Sequence, residues 1–437
     1  MGIEVITLLI VGGLFSLMAI GVPLGAATLL ISVTTALLNF GPPGLILVSS
    51  NVVHVFDKYT LVAIPFFVFM ANILERSGVA KDLFESMAIL GGRMKGGVAV
   101  QTVFVSVVLA AMSGVVGGEI VLLGLIALPQ LFRLGYDRKL SIGTIAASGS
   151  LATLIPPSVV LIVYGAEAGV SIKDLFSAGF TPGFLLAMLY VTYILIRTRL
   201  NPALGPSYDV PEAELPFVQR LWFLKGLIPP FLLIGGVLGA IYSGIATVTE
   251  SAAIGAAGAV VLALLRRELT LDGFRDSLWR TTITTGALIW LIVGAISLVG
   301  IYNLIGGTIF LKGLLTGLDV PPIVIILIMM GVILILGTFL DWVAIVFITV
   351  PVFAPVVVQL GYDPVWFGTL FAMNVQIYML SPPFGPACFY LKSVAPPDVT
   401  LQEIFMAVLP FIGLQLIGLT LVIIFPEIAL WLPNLTK

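Results

Sequence analysis

Leu154-Ile155-Pro156-Pro157-Ser158 and Leu380-Ser381-Pro382-Pro383-Phe384 each set two consecutive prolines inside a long apolar run. Proline lacks a backbone N–H and its ring clashes with the preceding turn, so each pair unwinds a helix in mid-span. The carbonyls released this way cannot face lipid, because nothing there satisfies them. They must face protein, water or a cation. Hydroxyls stand beside both breaks: Ser150, Thr153 and Ser158 at the first, Ser381 at the second.

Composition says why lipid is the relevant solvent. The chain has 437 residues, of which 59% are hydrophobic and 10% charged. A soluble domain carries about 25% charged residues. A soluble enzyme, a disordered chain and a nucleic-acid binder are thereby excluded. The single Cys388 excludes an intramolecular disulfide framework, and the single His54 excludes a histidine-cluster metal site. No GxxxxGK[ST] phosphate loop occurs, which argues against an ATP-driven pump. Met1 to Ile10 contains no Lys or Arg, so the N-terminus reads as the start of a retained span.

Apolar runs predict spans at 3–20, 23–40, 60–75, 140–166, 180–197, 222–243, 248–265, 283–301, 364–390 and 406–432. Two regions are too long for one span. Gly96–Leu131 carries Ser113-Gly114 and Gly117-Gly118-Glu119 near its middle; Pro321–Gln359 carries Gly337-Thr338 and Asp341. Each is predicted to be a re-entrant hairpin of two half-helices. Fifteen of the 20 Lys and Arg fall at 76–95, 133–139, 197–225 and 266–280, which assigns those segments to the cytoplasmic face. The first hairpin has such a cluster at both ends, so it enters and leaves through one face. The second, five spans after residue 140, opens from the other face. The N-terminus is then expected outside.

An internal repeat supports that inversion. Leu134-Gly135-Tyr136-Asp137 recurs as Leu360-Gly361-Tyr362-Asp363, at an offset of 226 that also carries Pro129 onto Pro355 and Pro156-Pro157 onto Pro382-Pro383. Further on, Val170–Phe176 resembles Val399–Phe405. Inverted repeats with broken helices are the signature of secondary transporters. The expected fold is an all-α polytopic membrane protein of inverted repeats, with two hairpins and two broken helices. Its expected units are 1–75 (scaffold), 76–179 (first repeat), 180–282 (scaffold and interfacial arm), 283–405 (second repeat) and 406–437 (last span).

Carbonyls and hydroxyls are hard oxygen ligands that suit Na+, although H+ coupling fits the same residues. The half-helices that follow the two tips present positive N-terminal ends, favourable to a substrate carboxylate. Ser113, Gly118, Ser150, Ser158, Thr338 and Ser381 are the candidate substrate contacts. Asp341 and Glu119 are functional candidates by their depth, or simple helix caps. Glu167 and Glu250 read as caps or anchors. The Ala- and Gly-rich span 248–265 predicts close helix packing. Trp222, Trp279 and Trp431 read as interfacial anchors. Amphipathic stretches 77–92 and 266–281 are expected to lie along the cytoplasmic interface.

Across essentially its whole length the chain resembles the large membrane (M) subunit of tripartite ATP-independent periplasmic, or TRAP, transporters. The stretches that carry the resemblance are Ile64–Phe67, Ala146–Ser158, Thr247–Ala253 and Leu380–Gly385. It implies an elevator-type, Na+-driven importer in a bacterial or archaeal inner membrane. It further implies a small four-helix membrane subunit and a periplasmic binding protein that delivers an organic acid, with no nucleic acid, no organic cofactor and no enzymatic step. Carried over from the family, one sodium site takes Ser113, Gly114, Gly149 and Pro156. The other takes Gly337, Thr338, Asp341 and Pro382. Many members have small hydroxyl residues through the first tip, where this chain has Val115-Val116-Gly117-Gly118-Glu119. The stretch Phe384–Lys392 resembles the branch grouped with mannitol, chloroaromatic and 2-oxo acid systems, which points to a monocarboxylate. A stand-alone Na+-coupled carboxylate symporter or ion antiporter of the same superfamily is the competing reading. An intramembrane enzyme is not supported: no HExxH occurs, and Lys is absent from the predicted span interiors.

Overall fold

The computed structural model describes residues 2–91, 94–207, 224–317 and 319–435. Trp222 lies outside them, as does most of the polar stretch before it. The described residues are helical throughout: α1 (Ile3–Ala19), α2 (Leu24–Phe40), α3 (Gly44–Asp57), α4 (Ala63–Arg76) and α5 (Val79–Gly91) come first. Then follow α6 (Gly97–Ser113), α7 (Val116–Arg133), α8 (Arg138–Gly149), α9 (Val159–Ala168) and α10 (Ile172–Leu200). The second half holds α11 (Ile228–Tyr242), α12 (Val248–Leu265), α13 (Leu271–Leu304), α14 (Gly307–Thr316) and α15 (Pro322–Gly337). It ends with α16 (Trp342–Gln359), α17 (Pro364–Leu380), α18 (Pro386–Val394), α19 (Leu401–Ile424) and α20 (Glu427–Leu435). Among the described residues seven helical segments are long and apolar enough to cross a membrane, α4 counting as one together with the 3₁₀ turn Tyr59–Val62 that leads into it.

The recurring Leu-Gly-Tyr-Asp motif has a physical cause. Each copy ends one helix and starts the next. Gly135 and Gly361 take left-handed φ of 77° and 82°. That turn lets Tyr136 N–H donate to Leu131 O (3.0 Å) and Tyr362 N–H to Val357 O (3.1 Å), closing both helix ends. Asp137 and Asp363 then cap the next helices, accepting from Leu140 N–H (2.8 Å) and Val365 N–H (2.7 Å). The same symmetry sets Ser171 at the start of α10 and Thr400 at the start of α19. Helices α7 and α16, each of 18 residues, superimpose at the offset of 226.

Both long regions are hairpins, α6–α7 and α15–α16, with arms in contact. Both proline pairs break helices, between α8 and α9 and between α17 and α18. Residues Val365 to Leu380 of α17 are buried without exception, as are Leu140 to Gly149 of α8. A helix covered on all sides forms the centre of a bundle rather than its rim. Around this centre α2, α3 and α4 pack on α13, and α4 on α12, which in turn packs on α11. The small residues of α12 work as expected: a side chain at Gly255 would strike Met70 Sδ at 2.7 Å.

The structure departs from the sequence expectations in four places. The predicted arm 266–281 and span 283–301 are one 34-residue helix, α13. Thr270 caps its start, accepting from Gly273 N–H at 3.1 Å, and no proline interrupts it. Helices α3 and α14 were not foreseen; at 14 and 10 residues they are only about 21 and 15 Å long, short of a span. The last predicted span, 406–432, divides at Pro426 into α19 and α20. Finally, the unit boundaries after residues 179 and 282 fall inside the continuous helices α10 and α13. The other arm, 77–92, is indeed a separate short helix, α5. Arg266 holds it, donating Nε–H to Ser77 O (2.9 Å) and pairing with Asp82.

Candidate functional site

The tip of the first hairpin lies against the first break. The Gly114 N–H donates to Ala110 O (3.1 Å), and the Gly114 carbonyl receives the Val159 N–H at 3.3 Å. Gly114 is left-handed (φ 62°), and a Cβ there would collide with the Pro157 carbonyl oxygen. No other residue fits. Gly149 packs equally closely on Ile120 of α7. Gly114 thus meets Pro157 and Ser158 at the break, Gly149 meets the second arm of the hairpin, and the break from Ser148 to Ser158 is entirely buried.

The second tip lies against α17. A Cβ at Gly337 would enter the Tyr378 ring, and the Asp341 carboxylate lies in electrostatic range of Tyr378 and Tyr390. Here the break is open: Pro382, Pro383 and Phe384 are exposed and Ser381 half-buried.

Asp341 is the N-cap of α16, its Oδ1 accepting from Val343 N–H at 2.9 Å. Glu119 is not a cap. The N-cap position of α7 is Val115, which has no side-chain acceptor. Glu119 instead receives the Ser106 hydroxyl from the other arm of its hairpin. Of the other two acids, Glu250 completes a capping box with Thr247 (Thr247 N–H to Oε2, 2.7 Å), and Glu167 pairs with Lys58 at 2.6 Å.

Four of the candidate substrate hydroxyls already donate to backbone. Ser150 donates to Ala147 O (2.7 Å), Thr338 to Ile335 O (2.7 Å), Ser381 to Ile377 O (2.7 Å) and Ser158 to Thr153 O. They retain lone pairs for a cation but no free O–H for a carboxylate. Only Ser113 Oγ is buried without a partner, and Gly118 is exposed. The donors left near the first tip are therefore the Ser113 hydroxyl and the backbone N–H groups that open α7.

Sequence reasoning missed Tyr390. It sits on α18, and a Cβ at Gly117 of the first tip would lie 3.2 Å from its ring. It is also within range of Asp341 at the second tip. Tyr390 thus packs on the first tip from the broken span of the other repeat. Its position on the second half of that span, six residues beyond the exposed Phe384, was the available signal.

Two hairpins of opposite repeats, each lying against a broken helix, are the layout of a polytopic transporter. Residues 11–428 match the family model for the tripartite ATP-independent periplasmic transporter, DctM component, and the chain belongs to that family. It is 32% identical over 401 residues to the C4-dicarboxylate TRAP transporter large permease protein DctM of Pseudomonas aeruginosa, covering 91% of this chain and 92% of that one. It is 31% identical over 386 residues to the ectoine/5-hydroxyectoine TRAP transporter large permease protein UehC of Ruegeria pomeroyi, covering 86% of each. Among solved structures it shares its fold with the YdaH transporter of Alcanivorax borkumensis (TM-score 0.63, 17% identity, 93% and 96% of the two chains). The chain is thus the large, multi-pass permease component of a tripartite transporter.

Proposed function

We propose that this permease imports an organic acid, a monocarboxylate such as a 2-oxo acid, driven by Na+. A periplasmic binding protein delivers the acid, and a small four-helix subunit completes the membrane part. The observation that carries this reading is the unequal chemistry of the two tips. The second tip holds a carboxylate, Asp341, with the Gly337 and Thr338 backbone close in sequence, and the second break adds Pro382: oxygen donors for Na+. The first tip opens α7 with uncapped N–H groups, a fit for a substrate carboxylate. A second Na+ would use the oxygens of Ser113, Gly114, Gly149 and Pro156.

The two repeats interlock, α7 packing on α18 and α16 on α9, so both hairpins would move as one body against α1–α4 and α11–α13. That is the elevator arrangement, with the N-terminus periplasmic and the membrane a bacterial inner membrane. Relatives named for a C4-dicarboxylate and for ectoine show that cargo varies among similar permeases, consistent with selection by the binding protein. Proteoliposomes carrying the permease and its partners should accumulate the acid only under an inward Na+ gradient. Undiminished uptake without Na+, driven by a pH gradient, would defeat the sodium assignment.

A further inference from the structure

A cavity of about 130 Å³ lies between the first hairpin and the flanking helices α4, α5 and α13, and the paired prolines do not line it. Its polar wall consists of Asn72, Glu75, Ser113, Glu119 and Thr284. Glu119 is 2% exposed, and although Ser106 donates to its Oε1, its Oε2 is buried with no partner. Ser113 Oγ is also buried without a partner. No Lys or Arg lines the space.

A buried carboxylate is costly unless something positive meets it. Helix α6 carries no ionisable residue to do so. Glu75, across the cavity, already feels Arg76 and Arg280. Of the charges on α5, Asp82 is paired with Arg266 and Lys81 with Glu85. Glu119 Oε2 is the carboxylate oxygen of this wall that is buried with no hydrogen-bond partner among the described residues.

We infer that this cavity binds a monovalent cation, Na+, on Glu119 Oε2 and Ser113 Oγ, at the seam between the first hairpin and α4. The charge count favours a monovalent ion, since one carboxylate balances one positive charge. The cavity holds several waters at about 30 Å³ each, enough to complete a hard-oxygen shell. This position shares only Ser113 with the sodium site proposed at the first proline break: Gly149 and Pro156 do not line it, and the Gly114 carbonyl turns instead to Val159. Because one wall belongs to the hairpin and the other to α4, the site is complete only while the two are in contact. Occupancy is thereby tied to the position of the hairpin, an inference that rests on the Na+-coupled reading.

The test is thermal unfolding of the purified full chain as NaCl replaces choline chloride at constant ionic strength. Glu119→Gln should raise the Na+ concentration for half-maximal stabilisation by about tenfold or more, as is usual on loss of a ligand group. Glu119→Asp, which keeps the charge and shortens its reach, should raise it less and serves alone if Glu119→Gln does not fold. Equal Na+ midpoints in wild type and the folded variants would overturn the cavity site while leaving Na+ coupling intact. Absence of any Na+ stabilisation, wild type included, would overturn the coupling itself. A changed pH profile at an unchanged Na+ midpoint would assign Glu119 a proton and also overturn the inference.

Discussion

The two hairpin tips descend from one sequence pattern and end in opposite chemistry. At the second, Asp341 caps the following helix and occupies its positive end. At the first, the corresponding carboxyl has no such duty: Val115 stands at the cap, and Glu119 turns sideways to Ser106. One tip thus supplies a negative group and the other leaves a positive helix end open. The proline breaks differ in the same sense, the first entirely buried and the second exposed from Pro382 to Phe384. Symmetric backbones need not imply symmetric sites, because a single capping carboxylate reverses the local charge.

The largest expected effect breaks the first tip. Gly114→Ala places a Cβ against the Pro157 carbonyl at a left-handed position. Left-handed backbone alone costs about 1–2 kcal/mol, before the collision is counted. The variant should lose most of its folded population on size-exclusion chromatography. Gly118→Ala, four residues on with open space around it, should elute like wild type. Similar behaviour of the two would refute the tight fit of tip and break.

Next, Asp341 separates charge from capping. Asp341→Ala should weaken the Na+ dependence of uptake and also lower stability by about 1 kcal/mol through the lost cap. Asp341→Asn keeps a capping side chain, so it should weaken Na+ dependence with little change in unfolding midpoint. An unchanged sodium response in both would remove Asp341 from the ion site. Tyr390→Phe addresses the residue packed on the first tip: a modest rise in half-saturating substrate, about two- to tenfold, is expected from loss of one hydroxyl. If that value does not move in uptake assays, Tyr390 merely packs on Gly117.

The smallest effect lies outside the membrane. Arg138 bonds Asp398 (2.7 Å) and Glu403 (2.9 Å), and this holds the Asp398 carboxyl below its usual range. A depressed carboxyl contributes stability above its unfolded value of about 3.9. That contribution disappears as pH falls through the lower folded value. Arg138→Ala should abolish this small acid dependence in thermal melts and leave the neutral-pH midpoint nearly unchanged, as expected for exposed charges.

Much of this was legible in the chain. The Leu-Gly-Tyr-Asp copies and the proline pairs are local instructions, satisfied by turns and caps within a few residues, so they announce hairpins, breaks and symmetry directly. Helices α3 and α14 were not legible, because short apolar helices between spans carry no breaker pattern of their own. Nor was the continuity of α13, since a charged, amphipathic start and an apolar continuation look like two elements until the packing of α2, α3 and α4 along one helix joins them.

The site divides along the same line. Sequence alone determined the class of protein, the inverted repeat and which oxygens could gather, because lipid forbids unsatisfied backbone and leaves few ways to arrange it. Only the tertiary structure decided that Asp341 caps while Glu119 does not, that four hydroxyls are already spoken for, and that Tyr390 packs on the first tip. Those facts depend on which helix lies opposite each side chain, a relation between residues far apart in the chain that local pattern does not encode.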